Sequence, residues 1–165
     1  MPLVKPDGKG QVEDIKLDSA ASHILEECRM VLPGIQALFG FQLIAVFSER
    51  FAEALSQPER YLHFAAIALV AVAIALIMTP AAMHRRIGVR RVTDHFIDAS
   101  ARLLLASMVP LALAISLEFY LIGRLVLKDG IAAPLALALL GLFAVLWVGV
   151  PRFARRQHSP GTTRA

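Results

Sequence analysis

Four apolar stretches, at about 30–48, 62–83, 103–123 and 131–150 and uncharged but for Glu118, dominate this 165-residue chain. Each is close to the ~20 residues that a helix rising about 1.5 Å per residue needs to cross a hydrocarbon layer some 30 Å thick. An all-α polytopic membrane protein with four transmembrane helices is the expected fold. Once the spans are set aside, only an N-terminal arm, a loop between spans 2 and 3, two short connections and a tail remain, which leaves no room for a separate soluble catalytic domain. Composition agrees, with 57% hydrophobic residues, 18% charged residues and a mean hydropathy of +0.63. Soluble domains rarely combine such values.

The net charge of +4 and the pI near 9.7 do not point to nucleic acid, because the basic residues are sorted by loop. The arm carries Lys5, Lys9, Lys16 and Arg29, the second connection Arg85, Arg86, Arg90, Arg91 and Arg102, and the tail Arg152, Arg155, Arg156 and Arg164. The first connection has only Arg50 and Arg60, and the third only Arg124 and Lys128. Positive residues stay on the cytoplasmic side, so both termini are expected there. Arg85, Arg86, Arg90 and Arg91 form a basic patch suited to anionic lipid, each contributing about 1 kcal/mol near a charged surface.

Along the chain, 1–18 is polar, contains Pro2, Pro6, Gly8 and Gly10, and predicts a disordered cytoplasmic arm. Residues 19–151 form the transmembrane domain and 152–165 a basic cytoplasmic tail. From Asp18 or Ser19, Ile24, Leu25, Cys28, Val31, Leu32 and Ile35 recur at helical spacing, opposite His23, Glu26, Glu27 and Arg29. This predicts an amphipathic helix leading into span 1. Pro33-Gly34 then allows either a turn from the membrane surface into the bilayer or one continuous kinked helix. A second amphipathic lead-in is expected from Thr93 or Asp94, running unbroken into span 3. In span 2, Ala68, Ala71, Ala75 and Ala82 make a small-residue seam, read as helix packing.

The run from Ile24-Leu25-Glu26-Glu27-Cys28-Arg29 through Leu32-Pro33-Gly34-Ile35-Gln36 to Gly40-Phe41-Gln42-Leu43, together with Met78-Thr79-Pro80-Ala81-Ala82-Met83-His84-Arg85, resembles a family of small bacterial four-span membrane proteins classed as a domain of unknown function. The resemblance covers about Ser22 to Gly149. It implies the four-helix architecture and supplies no substrate, cofactor or catalytic residue; the expected location is a bacterial inner membrane.

Polar groups at membrane depth are the functional candidates. Glu118, inward from Arg124 in span 3, must face the protein interior or water, or be protonated, because an exposed charge at mid-span costs about 3 kcal/mol. Hydration near the outer interface, a part in ion or proton handling, and pairing with Arg124, Arg50 or His63 are its three readings. Gln36 and Gln42 are six residues apart and fall on different faces of span 1, and Glu49 follows Gln42 by seven. Gln42, Glu49 and Glu118 could line a hydrated outer cavity, or the glutamines could join helices by hydrogen bonds. Pro33, Pro80 and Pro110 are expected to interrupt their helices and free a carbonyl one turn earlier, as broken helices do in transporter sites.

His23, Glu26 and Glu27 have metal-ligand spacing, as do Asp94, His95 and Asp98, but a site would need the two segments to converge. No metal, cofactor or enzymatic activity is expected, since no zincin helix, phosphate loop or nucleophile elbow is present. Two functions remain. The favoured one is a small transport or channel-like subunit acting as a homo-oligomer, because a lone four-helix bundle is filled by its own side chains. The alternative is a scaffold that binds anionic lipid and a partner membrane protein.

Overall fold

A computed structural model of the chain describes residues 8–87, 94–127, 130–150 and 152. All the regular structure there is helical: α1 (Gly8–Val46), α2 (Glu49–Ala54), α3 (Gln57–Ile87), α4 (Asp94–Val126) and α5 (Ala132–Ala144), the last continuing through a π-helical turn, Val145–Gly149. Four helical segments, Ser19–Val46, Gln57–Arg86, Asp94–Val126 and Ala132–Gly149, are long and apolar enough to cross a membrane. Their outer surfaces agree with that reading. Phe41, Ile44, Phe64 and Leu137 are each about two-thirds exposed, an apolar surface that water would not tolerate and that lipid tails solvate.

The antiparallel pair α3 and α4 makes the most extensive contact; α1 packs mainly on α3 and α5 on α4. In α3 the buried residues are Glu59, His63, Ala66, Val70, Ala73, Ile77 and Pro80, spaced alternately by four and three. That is the heptad seam of a helix packed at a shallow angle. Phe96, Ser100, Ser107, Pro110, Ala114 and Leu121 follow the same rhythm on α4. Small residues in both seams bring the backbones together, and Cys28 and Ile35 of α1 complete a core with Val70, Ile77 and Ala114.

The small-residue seam read from the sequence is therefore not the one packed within the chain: Ala68, Ala71, Ala75 and Ala82 are all exposed, on the outer face of α3. Both stripes have heptad spacing, and an alanine-rich helix offers no difference in apolarity to choose between them.

None of the three internal prolines breaks its helix. Pro33 lies inside α1, Pro80 inside α3 and Pro110 inside α4, and each helix continues through it. Pro80 and Pro110 sit buried in the packed seams, where neighbouring helices compensate for the missing amide donor. Pro33 is exposed, and α1 is one continuous helix that begins at Gly8, ten residues before the expected onset. The helix α4 starts at Asp94 and runs unbroken, as its sequence indicates. At the α4–α5 turn, Gly130 has φ +99°, a conformation that L side chains rarely adopt. Gly123 lies against Ala132 so closely that an added Cβ would be 3.1 Å from the alanine Cβ.

Candidate functional site

At one end of the bundle the heptad seam of α3 turns from apolar to polar. The sequence Ser56-Gln57-Pro58-Glu59 starts this helix with a capping box. The Ser56 backbone amide donates to Glu59 Oε2 at 2.8 Å and its hydroxyl to the same oxygen at 2.6 Å. The other oxygen of Glu59 is 3.2 Å from Arg124 Nη2 at the end of α4. One turn further along α3, the same seam presents His63.

His63 is the centre of the site. Its Nδ1 is 2.9 Å from Glu118 Oε1 on α4, and its Nε2 is 3.1 Å from the backbone oxygen of Gln42 on α1. Gln42 also donates from Nε2 to Glu118 Oε1 at 3.0 Å. Three helices thus meet at one carboxylate oxygen. The side chains of His63 and Glu118 are only 5% and 15% exposed, and Gln42 is 4% exposed. Phe51 of α2 closes the cluster, its ring edge-on to the imidazole with centroids 4.9 Å apart. Beside the cluster lies a cavity of about 250 Å³, lined by Gln42, His63, Glu118 and apolar side chains including Leu38, Phe51 and Leu121. Gln42 Oε1 is buried without a hydrogen-bond partner among the described residues, an acceptor left over at this cluster.

The geometry sets a proton inventory. A backbone carbonyl can only accept, so His63 Nε2 must carry hydrogen to bond Gln42. Nδ1 faces a carboxyl oxygen, and that contact needs one further hydrogen, either on the ring or on the carboxyl. With both contacts hydrogen-bonded, the pair is imidazolium with carboxylate or neutral imidazole with carboxylic acid. Both forms hold the same proton, and both have zero net charge, which suits burial in a low-dielectric slab.

The sequence of a family of unknown function, DUF6328, matches residues 11–151. The chain belongs to this family. The family resemblance in the residues around Ile24–Leu43 and Met78–Arg85 thus holds. Neither the comparison with curated proteins nor that with solved structures finds a match.

Of the residues singled out from polarity at depth, the structure brings Gln42 and Glu118 together and leaves two aside. Gln36 is exposed, on a different face of α1 from Gln42 as their spacing requires. Glu49 is exposed as well. The chain leaves α1 at Val46, through a turn in which Ser48 Oγ donates to Ala45 O at 2.9 Å, so the seven-residue spacing from Gln42 does not place Glu49 on the same face. Among the three partners considered for Glu118, His63 is the one in contact; Arg124 pairs with Glu59, and the side chain of Arg50 is outside the described set.

His23, Glu26, Glu27 and His95 are exposed, and no group of three His, Cys, Asp or Glu able to hold a metal occurs among the described residues. Arg85 and Arg86 are exposed in the last turn of α3, where positive charge complements the helix dipole. Arg90 and Arg91 lie outside the described residues.

Sequence reasoning missed α2 with Phe51, and it missed Glu59. The signal for Glu59 was available in the capping-box pattern at the start of α3. His63 also had one, being four residues after Glu59 and three before Ala66 on a single heptad seam.

Proposed function

We propose that the protein is a proton-handling transport or channel-like subunit of a bacterial inner membrane. The buried His63–Glu118–Gln42 cluster carries this reading: two ionisable side chains within hydrogen-bond distance lie beside a cavity, at a depth where such groups are costly, and satisfying both ring nitrogens calls for one shared, exchangeable proton. Loss of that proton sets an acceptor against an acceptor, at Nδ1 or at Nε2. The hydrogen bonds that tie α1 to α3 and α4 thereby depend on proton occupancy, which is the kind of coupling a proton-linked carrier needs. The arginine distribution supports cytoplasmic termini, with the cluster toward the opposite face. A conducting path calls for several copies, since the bundle interior is filled by its own side chains. No catalytic role is assigned.

Reconstitution in liposomes with an internal pH-sensitive dye tests this, an imposed potassium diffusion potential driving proton entry. Wild-type protein should acidify the lumen faster than empty liposomes, and Glu118→Gln, which keeps the shape and an acceptor oxygen, should abolish the difference. Equal rates for wild type and Glu118→Gln would refute it.

The internal pairing of Glu118 also favours a second reading, in which the cluster is a structural clasp and the protein a membrane scaffold. On that reading no flux is seen, and substitutions in the cluster change stability alone.

A further inference from the structure

We infer that the cleft between α4 and the π-helical end of α5 is a binding site for one acyl chain of an anionic glycerophospholipid, whose phosphate is held by Arg152. The cleft measures about 390 Å³. Leu105, Val109 and Leu113 form its α4 side over roughly 12 Å of helix, and Phe143, Trp147 and Val148 its α5 side. It lies nearer the N-terminal end of α4 than the proton cluster and does not depend on the reading of that cluster.

Three observations point to this occupant. Apart from Arg152 every lining residue is apolar or aromatic, so the cleft suits a hydrocarbon chain rather than a hydrated solute. Leu105 and Val109 are more than half exposed on a segment long and apolar enough to span a membrane, which opens the cleft to the lipid side. Arg152 is exposed three residues beyond the last residue of the fourth span, where a headgroup phosphate would lie, and it is the one charged residue of the lining. The π-helical turn adds local shape. Its extra residue per turn bulges the backbone, and the Phe143 and Trp147 rings pack with centroids 4.6 Å apart to form one wall.

Trp147 is the only tryptophan in the chain, so it reports this cleft without labelling. Full-length protein is reconstituted in phosphatidylcholine vesicles, with an equal mole fraction of lipid replaced by acyl-brominated phosphatidylglycerol or by acyl-brominated phosphatidylcholine. Contact with bromine quenches the indole.

Brominated phosphatidylglycerol should occupy the cleft about fivefold more readily than the zwitterionic lipid, the ratio one basic residue near an anionic surface provides. Arg152→Gln should bring that ratio to about one while leaving quenching by brominated phosphatidylcholine as it was, which also shows that the variant is folded. Ala144→Phe, which places a ring in the cleft, should weaken quenching by both lipids. Equal quenching by the two lipids in the wild type overturns the proposal, and so does a preference that survives Arg152→Gln. Absence of quenching by either lipid also overturns it, by showing that protein rather than lipid, such as a second copy of the chain, covers the cleft.

Discussion

Replacing Glu118 by leucine should destabilise the bundle far more than replacing it by glutamine, although both remove the charge. With leucine, Gln42 Nε2 loses its acceptor and His63 Nδ1 its partner, two nearly buried polar atoms. A buried group left unsatisfied costs about 1–3 kcal/mol. Within a bilayer the unfolded reference also finds partners, and interhelical bonds average only about 0.6 kcal/mol with a ceiling near 1.7. The expected loss for Glu118→Leu is therefore about 2–4 kcal/mol.

Glutamine can replace these contacts. With its amide nitrogen where Oε1 stood, it donates to His63 Nδ1 and, once the Gln42 amide turns over, to Gln42 Oε1. Neutral His63 still donates from Nε2 to the Gln42 carbonyl, so the loss should stay within about 1 kcal/mol. The double variant His63→Leu/Glu118→Leu should be more stable than the sum of its single variants by about 1–3 kcal/mol, because residues in one hydrogen-bond network couple. Unfolding in mixed micelles with rising dodecyl sulfate, followed by far-ultraviolet circular dichroism, measures the wild type and the four variants, His63→Leu included. If leucine and glutamine at 118 are equally destabilising, or the double variant is strictly additive, the three-helix cluster does not hold the bundle as described.

The two faces of α3 give an independent check. Ala73→Leu puts three carbons into a seam where Ala73 is fully buried and should cost about 1–3 kcal/mol, whereas Ala75→Leu on the exposed face should be near neutral in the same assay. Ser56→Ala removes the hydroxyl from the capping box and should lower stability by about 1 kcal/mol, an effect that Glu59→Gln should share in part. Gly123→Val drives side-chain atoms into Ala132 and should loosen α5 from α4, seen as faster crosslinking of cysteines introduced on their facing surfaces by a bulky reagent. Gly130→Ala forces an L residue to a positive φ and should lower stability by about 1 kcal/mol or more in the micelle titration.

Most of the architecture was readable because lipid imposes a coarse rule. A span must be long, apolar and nearly uncharged, and the four stretches each fall on such a helical segment, although the segments of spans 1 and 3 begin about ten residues earlier, at Ser19 and Asp94. The same rule hides what happens inside the bundle. Where every face is apolar, hydrophobicity no longer separates inside from outside, and Ala68, Ala71, Ala75 and Ala82 looked as suitable for packing as Ala66, Val70, Ala73 and Ile77. The polar residues in register carried the missing information. Glu59 and His63 fall on the second stripe, and charged or ring nitrogen groups at a helix end near the bilayer seek the protein interior.

Glu118 and Gln42 were found because depth makes polar groups conspicuous, while Gln36 shows that depth alone does not place a side chain inside. The prolines misled for a related reason. A missing amide breaks an isolated helix, but Pro80 and Pro110 are embedded between neighbours that hold the helix together.

The capping box, the Glu59–Arg124 ion pair and the His63–Glu118–Gln42 contacts gather where α1 and α4 end and α3 begins. Directional bonds therefore fix how the three helices sit lengthwise at this extremity, whereas toward the other end Cys28, His84 and Phe96 meet their neighbours through apolar and ring contacts. Sliding one helix by a turn would cost the apolar contacts little but would strand His63, Gln42 and Glu118 without partners, so this polar node decides which turn faces which.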